Sequence, residues 1–193
     1  MTALFSTRRF LVSVALLLAV GLYATPSVAQ NDTRVGLGVG LTSSIGTGSF
    51  DVSTSPVSIY VPIQLEGFRL EPQVGFFRRS QSNGDFEDTL TLLEIGTGAF
   101  ATRTNGDARL HYGGRIGLQH ISTSESFNNN DESDSATNFF VGPAIGGEYV
   151  FDETVSLGAE GRLLYVNEGT PDDSDLSAWR LQTGGSVFVR VYF

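Results

Sequence analysis

The chain between residues 57 and 77 reads VSIYVPIQLEGFRLEPQVGFF. Apolar residues occupy nearly every second position on both sides of Gly67, and polar or small residues fill many of the positions between them. Because successive side chains of a β-strand point to opposite faces, this period of two predicts two strands, each with one apolar face. The glycine between them predicts a tight turn, so the stretch predicts a β-hairpin.

The same alternation recurs from residue 34 to the end of the chain and predicts eight strands. The strands are expected at residues 35–41, 57–66, 68–76, 93–100, 110–120, 139–149, 155–165 and 181–193. Short connections at residues 67, 104–107 and 152–154 alternate with long polar loops at 43–56, 79–89, 123–137 and 167–177. An even number of strands joined in this way is typical of one all-β fold, the eight-stranded antiparallel up-and-down transmembrane β-barrel.

The composition excludes several classes of function. The chain has no Cys and only two His, which leaves neither thiol chemistry nor a Cys-ligated or His-rich metal site, so no metal and no cofactor are expected. All 12 basic residues are Arg, and 21 acidic residues give a net charge of −9. Phosphate backbones require a clustered basic surface, so nucleic acid is not an expected partner. The 193 residues are enough for a single domain.

The N-terminal residues have the pattern of an export signal. Arg8 and Arg9 precede an apolar run at 10–23, and Ser27 and Ala29 supply the small residues of a cleavage site. The run is shorter than the roughly 18–20 apolar residues that a membrane-anchoring helix needs. We expect a signal peptide at 1–29, export by the general secretory route rather than the twin-arginine route, and a mature barrel domain at 30–193.

One face of the predicted strands is apolar throughout, and this favours lipid over water. A secreted soluble β-barrel, the alternative, would bury that face and expose the polar one. The apolar phase persists through all eight strands, follows an export signal and is flanked by aromatic residues at both rims, as in the girdles of a membrane barrel. The rim aromatics are Phe68, Tyr149 and Phe193 at the turn ends, and Phe76, Phe139, Tyr165 and Trp179 at the loop ends.

The opposite face carries most of the strand charges and is expected to line the lumen. Eight strands enclose a lumen that side chains can fill, so inward Arg and Glu should pair, and the Gly residues on the same face leave room for them. We expect this network, with His111 as a member, to close the interior; a small ion or solute channel gated by rearranged pairs is the alternative. The predicted lumen network comprises Arg34, Glu66, Arg69, Glu71, Glu94, Arg109, Arg115, Glu148, Glu160, Arg162, Arg180 and Arg190.

The last strand has a distinctive ending. Val187, Val189 and Val191 alternate with larger side chains, and the chain closes on Phe193. This pattern resembles the signal by which the barrel assembly machinery recognises outer-membrane barrels. Together with the sequence GPAIGGEY at 142–149, it resembles the small outer-membrane β-barrel family that includes the opacity proteins and the membrane domain of the outer-membrane protein A type. The resemblance implies an integral protein of the Gram-negative outer membrane, with outer-membrane lipid and the assembly machinery as partners.

A second resemblance concerns His120 and Ser122, which share one face of the fifth predicted strand. The pair is similar to the catalytic His and Ser of outer-membrane lipid A deacylases, in which an acidic residue, here Glu132 or Asp134, completes a triad. In that family the pair lies just before the last strand, whereas 71 residues follow Ser122 here. We therefore predict no enzyme and no catalytic residues, with lipid A deacylation as an alternative.

The long loops are the expected place of function. Loops held by a rigid scaffold often carry binding sites, and family members use them for contact with the environment. We therefore predict a structural or surface-interaction role, with an extracellular ligand at the four long loops. The acidic runs at 131–134 and 172–175 are expected to form a solvated rim that binds cations loosely at most, because neither has the Gly and distal Glu of a calcium loop.

Overall fold

The computed structural model describes residues 33–44, 56–83, 86–127, 130–152, 154–168 and 178–193. The signal peptide predicted at 1–29 lies outside these residues. The described part is built from antiparallel strands and contains no helix long and apolar enough to cross a membrane. Its strands are β1 (Arg34–Ser44), β2 (Val57–Tyr60), β3 (Ile63–Leu65), β4 (Phe68–Asn83), β5 (Phe86–Asn105), β6 (Ala108–Phe127), β7 (Asn130–Phe151), β8 (Val155–Glu168) and β9 (Ala178–Tyr192).

The strands form one closed barrel. From β3 to β9 each strand pairs antiparallel with the next, and β1 pairs with β9 from Gly36↔Tyr192 to Ser44↔Gly184, which closes the sheet. Both β2 and β3 pair with β1 and with β4, so together they occupy one position in the wall. The barrel therefore has the eight strand positions that the alternation predicts.

One predicted strand, at 57–66, is divided between β2 and β3. Proline has no backbone N–H to donate to the ladder, and Pro62 interrupts the strand for this reason. The chain nevertheless stays in the wall. Val61 N donates to Pro72 O, and Gly36 N donates to Pro62 O, both at 2.9 Å.

The short connections at Gly67, Gly106 and Asp152 lie at one end of the barrel, which we call the turn end. Gly67 and Gly106 have φ values of 68° and 60°, which glycine adopts without steric strain, and Asp152 has a φ of 49°. The pair Asn105↔Ala108 leaves only two residues between β5 and β6. The opposite end is the loop end.

Two of the segments predicted as long loops are mostly strand, which corrects the sequence analysis. β4 and β5 pair as far as Asn83↔Phe86, and β6 and β7 pair as far as Phe127↔Asn130. Most of 79–89 and 123–137 is therefore β-ribbon. The apolar alternation stops because these segments lie beyond the hydrocarbon layer, and the backbone ladder continues because they keep Thr and other residues that strands accommodate.

These ribbons join into a four-stranded sheet at the loop end, because β5 and β6 also pair along the whole of their length. We call this sheet the extension and define it as residues 78–83, 86–92, 120–127 and 130–138. The other two predicted loops, at 43–56 and 167–177, fall largely outside the described residues.

The exterior of the barrel is apolar, as the phase of the alternation predicts. Outward side chains such as Ile145 and Leu118 are 59% and 51% exposed, whereas the inward neighbours of such residues are mostly buried. The predicted rim aromatics all point outward, and Tyr165 stacks on Trp179 with ring centroids 5.8 Å apart. An apolar surface this continuous is costly in water and matches a hydrocarbon environment.

Candidate functional site

The interior of the barrel is polar and charged. The side chains of Arg69, Glu71, Arg115 and Arg190 point inward and are at most 2% exposed. A buried charge is tolerated only when it is paired and hydrogen-bonded. The contacts of these groups therefore decide what the interior can do.

Glu148 is the centre of the contacts at the turn end. It lies on β7 and receives hydrogen bonds from side chains on β4, β6, β8 and β9, so one carboxylate ties together most of the wall. Its partners are Arg69 Nη1 at 2.9 Å, Arg109 Nη1 at 3.0 Å, Arg190 Nη1 at 2.7 Å, Ser156 Oγ at 3.1 Å and Tyr192 OH at 3.1 Å. Charge-assisted hydrogen bonds of this length are among the stronger ones in proteins.

Arg115 is the centre of a second set of contacts, nearer the middle of the barrel. Its Nε and Nη2 donate to the two oxygens of Glu160 at 2.6 and 2.8 Å, in a bidentate arrangement. The same guanidinium donates to Glu71 Oε1 at 2.5 Å and to Gln73 Oε1 at 2.7 Å. His111 Nε2 lies 3.3 Å from Glu160 Oε2.

One further contact joins these two sets, and two more add Glu94 to the network. Arg190 Nη2 lies 2.5 Å from Glu71 Oε2, which links the Glu148 set to the Arg115 set. Gln73 Nε2 donates to Glu94 at 2.5 Å, and Gln119 Nε2 donates to the same carboxylate at 2.8 Å. Side chains of opposite charge therefore follow one another from the turn end to the loop-end half of the lumen.

Aromatic rings pack against the guanidinium groups. The Cζ atom of Arg190 lies 3.5 Å from the ring centroid of Phe188, and that of Arg115 lies 5.0 Å from the ring centroid of Phe100. Phe100 also meets His111 edge-on at 5.2 Å. These cation–π contacts fill space that water would otherwise occupy and hold the charged groups in place.

Of the twelve residues predicted for the lumen network, nine are buried or half-buried inside the barrel, and three are exposed. Arg34 and Glu66 at the turn end and Arg180 at the loop end are exposed. Their strands extend to the rims, where the wall no longer surrounds an inward side chain, and the membership of these three residues in the network stays a prediction. Arg162 is buried and lies 3.7 Å from Glu94, and Arg109 is half-buried.

The network also contains neutral residues that the sequence analysis did not select. Gln73, Gln119, Ser156 and Tyr192 hydrogen-bond to its carboxylates or guanidinium groups. All four share the inward phase of the alternation. The alternation therefore predicts that these side chains point inward, but a selection by charge alone leaves neutral residues out.

The catalytic triad of the alternative lipid A deacylase function is not assembled in the described residues. His120 and Ser122 point outward, and His120 Nδ1 lies 3.0 Å from Thr137 Oγ1. The register pairs Thr123 with Asp134 and Glu125 with Glu132, so both candidate acids point to the opposite face of the sheet. Strand alternation thus separates the acids from the base.

Within the part of the chain that the structure describes, no group of three or more His, Asp and Glu side chains is placed to hold a metal ion. The acidic run at 172–175 lies outside that part. The side chains of the predicted assembly signal, Val187, Val189, Val191 and Phe193, all point outward, and Phe193 is 78% exposed. Its recognition by the assembly machinery stays a prediction.

Comparisons with known proteins agree with this geometry. The sequence matches the family model of the outer membrane protein beta-barrel domain over residues 12–185, and no curated protein matches it. Among solved structures, the chain is similar to the attachment invasion locus protein Ail of Yersinia pestis in complex with the heparin analogue sucrose octasulfate, at 14% identity and a TM-score of 0.56, over 85% of this chain and 99% of that one.

A second similar structure is a major outer membrane protein from Thermus thermophilus, at 8% identity and a TM-score of 0.55, over 83% of this chain and 99% of that one. At these identities the two structures share the fold with this chain, and no residue roles are transferred from them. The family model, in contrast, spans most of the sequence. The chain therefore belongs to the outer membrane protein beta-barrel domain family.

Proposed function

We propose that this outer-membrane protein is a non-catalytic barrel whose lumen is closed by the Arg and Glu network and whose extension meets partners outside the cell. The observation that carries the first part is the burial of Arg69, Arg115 and Arg190, which are at most 2% exposed although their side chains point into the lumen. An eight-stranded lumen is narrow enough for such side chains to fill. The separation of His120 from both candidate acids supports the absence of catalysis.

A closed lumen predicts that the protein conducts no ions across a membrane. Refolded residues 30–193 in a planar lipid bilayer are expected to show no steady current above that of lipid alone. A double variant, R115A/E160A, removes a buried pair without leaving a lone charge at the centre of the lumen and is expected to produce discrete current steps. The control is R79A/E132A, which removes one exposed residue of each sign from the extension.

Regular current steps from the unmodified protein would overturn the closed lumen and favour the channel. If R115A/E160A also shows no current steps although circular dichroism shows that its barrel is folded, the network is not what blocks the passage of ions. In that case other side chains must close the interior.

For the extracellular partner, we propose a basic surface rather than a sulfated polysaccharide. Ail has been solved with sucrose octasulfate, which is a polyanion. Here the inner face of the extension, which continues the lumen wall, exposes Glu125, Glu132 and Asp134, and the whole chain has a charge of −9. Like charges repel, so this face is complementary to a cationic partner.

A titration in detergent micelles distinguishes the two chemistries. Polylysine is expected to bind the barrel and sucrose octasulfate is not, and binding should weaken as salt rises because exposed charges are screened. The variant E125Q/E132Q/D134N is expected to lose most of the affinity for polylysine, whereas E66Q at the turn end should leave it unchanged. Equal affinity of the triple variant and the unmodified protein would exclude this face as the site.

A further inference from the structure

The two faces of the extension differ in charge. The inner face carries Arg79 and the acids Asp88, Glu125, Glu132 and Asp134, whereas the outer face, which continues the lipid-facing surface, bears mostly hydroxyls, with Arg78, His120 and Glu87 as its other described polar side chains. The outer hydroxyls belong to Ser80, Ser82, Thr89, Thr91, Ser122, Ser124, Ser126, Ser133, Ser135 and Thr137, and all ten residues are at least partly exposed.

The register arranges these hydroxyls in rows across the four strands. One row consists of Arg78, Thr91, Ser122 and Ser135, and the next consists of Ser80, Thr89, Ser124 and Ser133. Neighbouring strands lie about 4.8 Å apart, and same-face residues along a strand lie about 7 Å apart. Each hydroxyl can donate and accept a hydrogen bond, so the face is a regular array of both.

The position of the hydroxyl rows on the barrel indicates which layer of the membrane they contact. The lowest row, directly beneath Arg78, consists of Phe76, Leu93, His120 and Thr137, and Phe76, one of the rim aromatics, is 52% exposed on the lipid-facing surface. The array therefore begins where the aromatic girdle ends and faces sideways. In the outer membrane, the headgroup layer of the outer leaflet occupies that level.

The charges on the outer face of the extension are complementary to the anionic phosphates of that headgroup layer. In a chain with 21 acidic residues, the outer face carries Arg78 and His120 in its lowest rows, and the nearest acid with a described side chain is Glu87, which accepts a hydrogen bond from Ser80 at 3.2 Å. Among the described side chains, the two rows that contain Arg78 and His120 therefore hold no acid, which anionic phosphates would repel. Acyl chains would leave the hydroxyls without partners, whereas sugars can satisfy them.

We propose that the outer face of the extension binds the phosphorylated sugar headgroups of outer-leaflet glycolipids, with Arg78 against phosphate and the hydroxyl rows against sugars. This binding of glycolipid headgroups is separate from the binding of a basic partner that is proposed for the inner face. It uses the opposite side of the same four strands and depends only on the location of the protein in the outer membrane.

Arg78 and Arg79 offer a matched pair of variants. They are adjacent on β4, both are exposed, and strand alternation places them on opposite faces. The midpoint of heat unfolding is measured in phosphatidylcholine vesicles and in vesicles that contain lipopolysaccharide with its core sugars. Lipopolysaccharide is expected to raise the midpoint of the unmodified protein and of R79E, and to raise that of R78E by about 3 °C less. Equal gains for R78E and R79E would overturn the phosphate contact.

A second pair of variants tests the sugar contact. T91A/S122A removes two hydroxyls from the outer face, and Q81A/T123A removes two polar groups from the inner face. Vesicles with complete lipopolysaccharide are compared with vesicles of lipid A, which lacks the core sugars. The extra stability given by the core sugars is expected to disappear in T91A/S122A and to persist in Q81A/T123A. If the core sugars add no stability to the unmodified protein, the hydroxyl rows do not bind them.

Discussion

Replacing Glu148 with alanine is expected to lower the free energy of unfolding by about 3–5 kcal/mol, which is the usual cost of removing one partner from a buried ion pair. The variant leaves Arg69 and Arg190, both fully buried, without the carboxylate that each contacts within 3 Å. Arg109 and Tyr192 lose a partner at the same time. The measurement is urea unfolding in detergent micelles, followed by the fluorescence of Trp179, the single Trp of the chain.

Two controls separate charge from packing. E148Q keeps the shape of the side chain and removes its charge, so it is expected to lose most but not all of the same stability. E66A removes an exposed carboxylate at the turn end and should change the free energy by less than about 0.5 kcal/mol. An E148A value within that same margin would show that Glu148 contributes nothing net to the folded barrel.

Replacing Gly113 with alanine is expected to destabilise the barrel by about 3 kcal/mol or to prevent folding. A Cβ atom at this inward position would overlap the carbonyl oxygen of Ala99 and lie 2.8 Å from the Cα atom of Phe100. These are backbone atoms of the neighbouring strand, so no side chain can rotate away. Heat-dependent gel mobility and the same urea titration measure the loss.

G161A is the matched control, because Gly161 points outward on β8. The nearest atom to its added Cβ would be Ile145 O at 3.9 Å, an ordinary contact distance. Alanine there restricts the unfolded chain without strain, so G161A is expected to gain about 0.4–1 kcal/mol. The two substitutions should therefore differ in sign, and a G113A protein as stable as G161A would mean that the wall can widen at this point.

The eight-stranded barrel and the polarity of its two faces follow from the alternation alone. Each strand in lipid must present an apolar side chain at every second position, so the alternation in the sequence shows which residues point outward and which point inward. The same phase predicts the inward direction of Glu71, Arg115 and Glu148. It does not predict their partners, because Arg69 and Glu148 are brought together across the lumen by the closure of the barrel.

The extension illustrates what the alternation cannot show. Segments such as 79–83 and 130–134 lie beyond the hydrocarbon layer, so nothing requires apolar residues there and the periodic signal ends while the strands continue. Asp134 and Ser122 lie on opposite faces of the sheet, and this could be predicted only from the register of β6 and β7. Likewise, the exposure of Arg34 and Arg180 at the rims depends on where the wall stops.

The separation along the chain of the residues in the lumen network has a consequence for folding kinetics. Arg69 meets Glu148 and Tyr192, which lie 79 and 123 positions further along the chain. Contacts of such long range require most of the loop-closure entropy to be lost first, so they form late, when β1 and β9 meet. Interactions that are absent from the transition state slow unfolding more than they accelerate folding. The network therefore gives the barrel a long folded lifetime rather than a fast route to the folded state.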